Sequence, residues 1–261
     1  MFELYPNHPS AYVAKAANDG AYGKYAEATL VVEEAFDEHP NNDGFKDWLT
    51  WLYVYLDKSD KVTEMGSDWA EYEYSLRRQD LEKSAQILEQ KLASEEADEW
   101  LDSAVYLYST MGKEAALKSA VVKRIDNMDD RNVPWQKRST SILLNALQTD
   151  RMNDNTQTMM DRCRETTEKR LAAGYFCPCS WFNLVNFAVL DNRNDDAIKR
   201  AEEWLDHGDS ELNLAIHPIF TQLKGHPKYQ AILERNQQQI ERQIRIYDSA
   251  KKQQEVKTGS S

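Results

Sequence analysis

The chain has 261 residues, 41% of them apolar and 29% charged, and a net charge of −12. That balance belongs to a folded protein with a sizeable core, and the acidity argues against nucleic acid or an anionic membrane as a direct partner, because phosphates call for a basic face. Nine glycines and seven prolines are few for a turn-rich all-β fold, and three cysteines fit a reducing, cytoplasmic setting better than a disulfide framework.

The first residues, "FELYPN" (2–7), read as the end of a helix halted by a proline. The same pattern returns about one 34-residue repeat later as "FDEHPNN" (36–42). Residues 1–8 are therefore expected to be the tail of an upstream repeat, in a chain cut from a longer protein. Between the two stops, residues 9–42 hold two helical stretches, the first interrupted at Gly20 and Gly23. The second is opened by Glu27, carries Ala28, Val32, Ala35 and Phe36 on one face, and is closed by Pro40.

"GFKDWLTWLYVYL" (44–56) is apolar almost all round, which predicts a helix sandwiched between others. The following "KSDKVTEMG" (58–66) is too short for a full partner helix and predicts either an irregular unit or fusion to the next helix. Further pairs are expected at 67–79 with 81–93, and at 98–111 with 113–125, the latter with Ala116, Ala120 and Val121 facing inward. Helices at 134–148 and 153–172 follow, and a last pair lies within 180–208. Short paired helices that each bury one stripe need neighbours of the same kind, so the fold class expected is all-α, an α-solenoid of hairpins over 9–208.

Gly23, Tyr25, Ala28, Ala35, Phe36 and Pro40 stand at the spacing of the tetratricopeptide repeat, and residues 9–208 resemble that family. Leu49, Thr50 and Tyr53 in the next helix fit its packing positions, as do Trp181, Leu184, Ala197 and Ala201 in the last pair. Lys15 and Asp19 depart from it, because the family places large apolar residues there. The segment 209–248, with "HPIFTQLKGHPKYQAIL", resembles the part that closes such regions in bacterial multidomain signalling proteins. The upstream part of those proteins is a winged-helix DNA-binding domain, a nucleotide cyclase or a protein kinase. Pro218 and Pro227 are each expected in the first turn of a capping helix. Ile219, Phe220, Leu223, Tyr229, Ile232 and Leu233 are expected to cover the solenoid end. Residues 249–261 are expected to be disordered.

The resemblance places Trp51, Tyr74, Tyr106 and Asn186 at the mid-helix position that lines a concave groove. Tyr55 lies one turn from Trp51, and Asp47 and Arg78 add charge. Such an aromatic stripe suits a protein or peptide segment in the groove, though the same aromatics equally fill a superhelix interior. The expected function is a non-enzymatic protein–protein interaction scaffold, the regulatory region of a larger bacterial signalling or transcription-control protein. The alternative is a solenoid that senses a small molecule.

Other motifs carry less. "CPCSW" (177–181) lacks the spacing of a zinc site or a redox pair and reads as a helix start at Pro178. The acidic links "DNMDDRN" (126–132) and "DNRNDD" (191–196) lack the order of a calcium loop and read as helix caps. No nucleotide-binding or metalloprotease motif occurs, so no catalytic residue, metal or cofactor is expected. No segment is long and apolar enough to span a bilayer.

Overall fold

The computed structural model describes residues 8–126, 154–174 and 178–258. Among these every regular element is helical and none is a strand. The helix expected over 134–148, the opening "FELYPN" and the link 127–132 lie outside the described residues. The chain divides into two compact units, and its C-terminal part contributes segments to both.

The first unit contains Met1–Arg78, His207–Leu212 and Glu234–Ser261. Its helices are α1 (Pro9–Ala21), α2 (Tyr25–Glu38), α3 (Asp43–Tyr55), α4 (Ser59–Met65) and α5 (Asp68–Arg77). α1 starts where His8 accepts the Ser10 N–H and Pro9 takes the first turn, a position where its missing N–H costs nothing. Gly20 stays inside α1, and the chain turns only at Gly23, whose φ of 67° is the left-handed region. α2 opens at Tyr25, two residues before the expected Glu27. Ala28, Val32 and Ala35 are buried along one face, Phe36 packs at its edge, and the helix stops at Glu38, just before Pro40.

α3 is wrapped as its composition implies, with Phe45, Leu49, Leu52, Tyr53, Val54 and Tyr55 all buried. The short segment after it forms a separate two-turn helix, α4, closed by Gly66 in the left-handed conformation. α1 packs on α2, α2 on α3, and α3 on both α4 and α5. This succession of neighbours is what a one-stripe helix requires to stay dry.

The second unit contains Gln79–Asp206 and Asn213–Leu233. It holds α6 (Leu81–Leu92), α7 (Leu101–Thr110), α8 (Glu114–Asp126), α9 (Asp154–Ala172), α10 (Pro178–Leu190) and α11 (Asn194–Asp206). α7 is preceded by a 3₁₀ turn, Ala97–Trp100, and Ala120 and Val121 are buried on α8 while Ala116 is half-exposed. Around α10 and α11, Phe182, Val185, Ala188, Ala197, Ala201 and Trp204 share one core. Ile219, Phe220, Leu223, Tyr229 and Ile232 complete it, with Leu233 at its margin. Those residues pack against the α10–α11 hairpin.

Two details of the closing segment differ. Pro218 precedes only a 3₁₀ turn, Phe220–Leu223, and Pro227 stands just ahead of α12 (Tyr229–Thr258) rather than inside it. The tail expected to be disordered from residue 249 continues α12 as far as Thr258. Its Gln, Lys, Glu and Ala residues are good helix formers, and Lys251 is tied to Glu33 at 3.4 Å.

Candidate binding surface

The expected groove residues divide between the two units, so each group is described in its own unit. In the first, Trp51 is 38% exposed and Tyr55, one turn later on the same helix, is 1% exposed. Trp51 rests on a floor of two tyrosines. Its ring centroid is 5.3 Å from that of Tyr25 and 6.0 Å from that of Tyr55, and the tyrosine rings are 4.0 Å apart.

Both floor tyrosines are pinned by their hydroxyls. Tyr25 donates to the fully buried Asp209 carboxylate, and Tyr55 exchanges a hydrogen bond with the Ser210 hydroxyl. Burial, reinforced by the Asp209 charge, pushes the Tyr25 phenol well above its ordinary value; burial likewise raises Tyr55. Arg77 donates to the carbonyls of Val54 and Tyr55 in the last turn of α3, where the Val54 carbonyl also accepts the Asp57 N–H at 3.3 Å. A guanidinium there also complements the negative end of the helix dipole.

Tyr55 therefore supports the surface from beneath instead of forming it. Asp47 is exposed one turn before Trp51 and makes no hydrogen bond or ion pair with another described residue. The sequence missed Tyr25 as the partner of Trp51, and it missed Asp209 and Ser210 altogether. Nothing in "HGDSEL" (207–212) marks a polar anchor, because that role arises only from what faces it.

Tyr74 and Arg78, on and just past α5, form a second group. The Tyr74 hydroxyl accepts from Arg78 at 2.9 Å, and the guanidinium reaches Asp57 at 2.7 Å and stands 5.3 Å from the Tyr74 ring centroid. The Tyr74 hydrogen bond and the Asp57 charge both raise the Arg78 pKa. This arrangement already occupies the Tyr74 hydroxyl and one side of the guanidinium.

In the second unit Tyr106 is half-buried and donates to the Asn213 carbonyl at 3.1 Å. The His217 ring lies edge-on to both Tyr106 (5.7 Å) and Phe182 (4.9 Å). The His217 Nδ1 accepts from the N–H groups of Ile219 and Phe220. Asn186 stands one turn beyond Phe182 on α10, fully buried, and neither its Oδ1 nor its Nδ2 has a partner among the described residues. Asn186, expected to line a groove, is a core amide rather than an exposed contact.

The acidic link 191–196 resolves into ion pairs. Asp191 meets Arg164 and Arg193, and Asp196 meets Arg193 and Arg200. Partial burial raises the Asp191 pKa, but the two guanidiniums more than offset it and leave the carboxyl below its ordinary range. Among the described residues no group of three or more His, Cys, Asp or Glu is placed to hold a metal ion. None of their helices is long and apolar enough to cross a membrane. Cys177 lies outside the described residues.

Compared with known proteins, the chain matches no protein-family model and no curated protein sequence.

Proposed function

We propose that this chain is a non-enzymatic interaction module that docks a polypeptide segment on the Trp51 surface. In the same reading its tetratricopeptide-like hairpins stack as an α-solenoid that serves as the regulatory region of a larger bacterial signalling or transcription-control protein. The observation that supports the docking surface is one exposed indole held by two buried, hydrogen-bonded tyrosines. A rigid aromatic platform loses little entropy on binding, and tryptophan is the residue type most often found to dominate an interface.

The Asp47 carboxylate, unpaired among the described residues, and the net charge of −12 favour a segment bearing Lys or Arg. A cation there has a carboxylate to pair with and an aromatic face to sit over. Selection of displayed random peptides against the full chain tests this. Selected peptides should be enriched in Lys or Arg. Trp51→Ala should weaken their binding by at least tenfold without changing helical content, and undiminished binding by that variant would refute the reading.

A further inference from the structure

Residues 234–258 of the last helix, which lie within the first unit, are held there by α2 and by Lys58 and Glu211, away from Trp51. Trp51 and Tyr53 stand two positions apart, and on a helix such residues point to opposite sides. The Tyr53 hydroxyl donates to Glu33 on α2 at 2.8 Å. The same carboxylate accepts from Tyr247 on α12 at 2.6 Å and pairs with Lys251 at 3.4 Å. One acidic side chain thus gathers two phenols and an ammonium from two other helices.

The remaining contacts continue along one stripe of α12. Asn236 exchanges two hydrogen bonds with the backbone of Glu211, each 2.8 Å. Ile240 enters the core, and Gln243 accepts the Ala26 N–H at 3.0 Å, satisfying a first-turn donor of α2. Lys58 pairs with Asp248 and lies over the Tyr247 ring. Positions 236, 240, 243, 247 and 251 recur every three or four residues, the signature of a helix docked in a groove.

The dock mixes polar and apolar contacts. From residue 234 to 257 only Asn236, Ile240 and Tyr247 are buried, with Ile244 and Ile246 packed partly buried against the core, whereas the much shorter α2 buries seven residues. Polar contacts exchange readily with water and contribute little net hold, and few buried apolar contacts mark a segment that opens below the global unfolding free energy. The rest of α12, rich in Gln, Arg, Lys and Glu, stays soluble when released.

We propose that the α2–α3 face around Glu33 and Tyr53 is a receptor for an amphipathic helix, occupied here by the chain's own C-terminal helix. A partner helix presenting Ile, Gln, Tyr and Lys in the order and spacing of residues 240, 243, 247 and 251 competes for it. The chain's own helix then acts as a displaceable plug, separate from the Trp51 surface.

The test uses a fluorescent peptide of residues 234–258 and the full chain. The double variant Ile240→Ala, Tyr247→Ala loosens the resident helix and should bind the peptide at least tenfold more tightly than the unaltered chain. Adding Glu33→Ala should remove that gain, whereas Trp51→Ala should leave it intact. Equal binding by the unaltered and double-variant chains, or no binding by a double variant of normal helical content, overturns the proposal. If the double variant loses its helical content, hydrogen exchange of the unaltered chain decides. Amides of residues 240–251 exchanging at least tenfold faster than those of α2 support the plug, and exchange at the same rate overturns it.

Discussion

Gly23 and Gly208 meet backbone to backbone: a Cβ on Gly23 would stand 1.8 Å from the Gly208 carbonyl oxygen. The α1–α2 turn is thereby set directly against the segment that carries Asp209 and Ser210. Both glycines have positive φ, 67° and 87°, so the contact combines close approach with a conformation that L-residues avoid.

Gly23→Ala should consequently lose at least about 3 kcal/mol, through left-handed strain and a backbone clash together. Gly66→Ala is the control, since Gly66 has φ 63° but nothing within 4 Å of its Cβ position. It should lose only about 1 kcal/mol. The midpoints of urea unfolding measure both, and equal losses would show that the contact contributes nothing.

Tyr25 and Asp209 form the buried polar anchor beneath Trp51. A double-mutant cycle with Tyr25→Phe and Asp209→Asn should give a coupling of about 1.5–3 kcal/mol, as for a hydrogen bond to a charged group. The cycle of Tyr55→Phe with Ser210→Ala, between two neutral hydroxyls, should give about 0.5–1.5 kcal/mol. A smaller coupling for the charged pair would mean that Asp209 is held chiefly by other contacts.

The phenols predict an alkaline limit to stability. Burial is the leading cause that raises the pKa of Tyr25, Tyr53, Tyr55 and Tyr247, with Asp209 or Glu33 adding to it in all four. A raised folded-state pKa means the folded protein resists ionisation that the unfolded chain undergoes near pH 10. Stability is then fully present below about pH 10 and falls above it, at about 1.4 kcal/mol per pH unit for each such tyrosine. Thermal unfolding followed from pH 8 to 11.5 should show a steep drop beginning near pH 10. Phenolate absorbance of these groups should appear together with the loss of helical signal, and gradual ionisation of all tyrosines in a folded chain would contradict this.

Asn186 holds a fully buried amide without partners among the described residues. An unsatisfied buried polar group costs about 1–3 kcal/mol, and an apolar residue of similar volume removes that cost. Asn186→Leu should therefore leave stability unchanged or raise the melting temperature by roughly 2–4 °C. A loss above about 2 kcal/mol would show that the amide is satisfied in solution.

Much of the helix pattern was legible because its information is local. Ser67 and Asp80 cap α5 and α6, the chain turns at Gly23, and Ala28, Val32 and Ala35 declare the inner face of α2 through their spacing alone. The same local reading made residues 249–258 a tail, since their composition gives no reason to bury them. Lys251 finds Glu33 only because the chain returns to its own first helices.

The candidate surface was legible only in part, and Trp51 and Tyr55 show why. Their spacing of one turn puts both on one side of α3, a fact that 3.6 residues per turn settles without any neighbour. Which of them meets solvent depends on Asp209 and Ser210, remote in sequence, whose buried oxygens take up the hydroxyls of Tyr25 and Tyr55. Periodicity is written along a chain one turn at a time. Burial is decided by whatever folds against that turn, and only the tertiary structure brings it there.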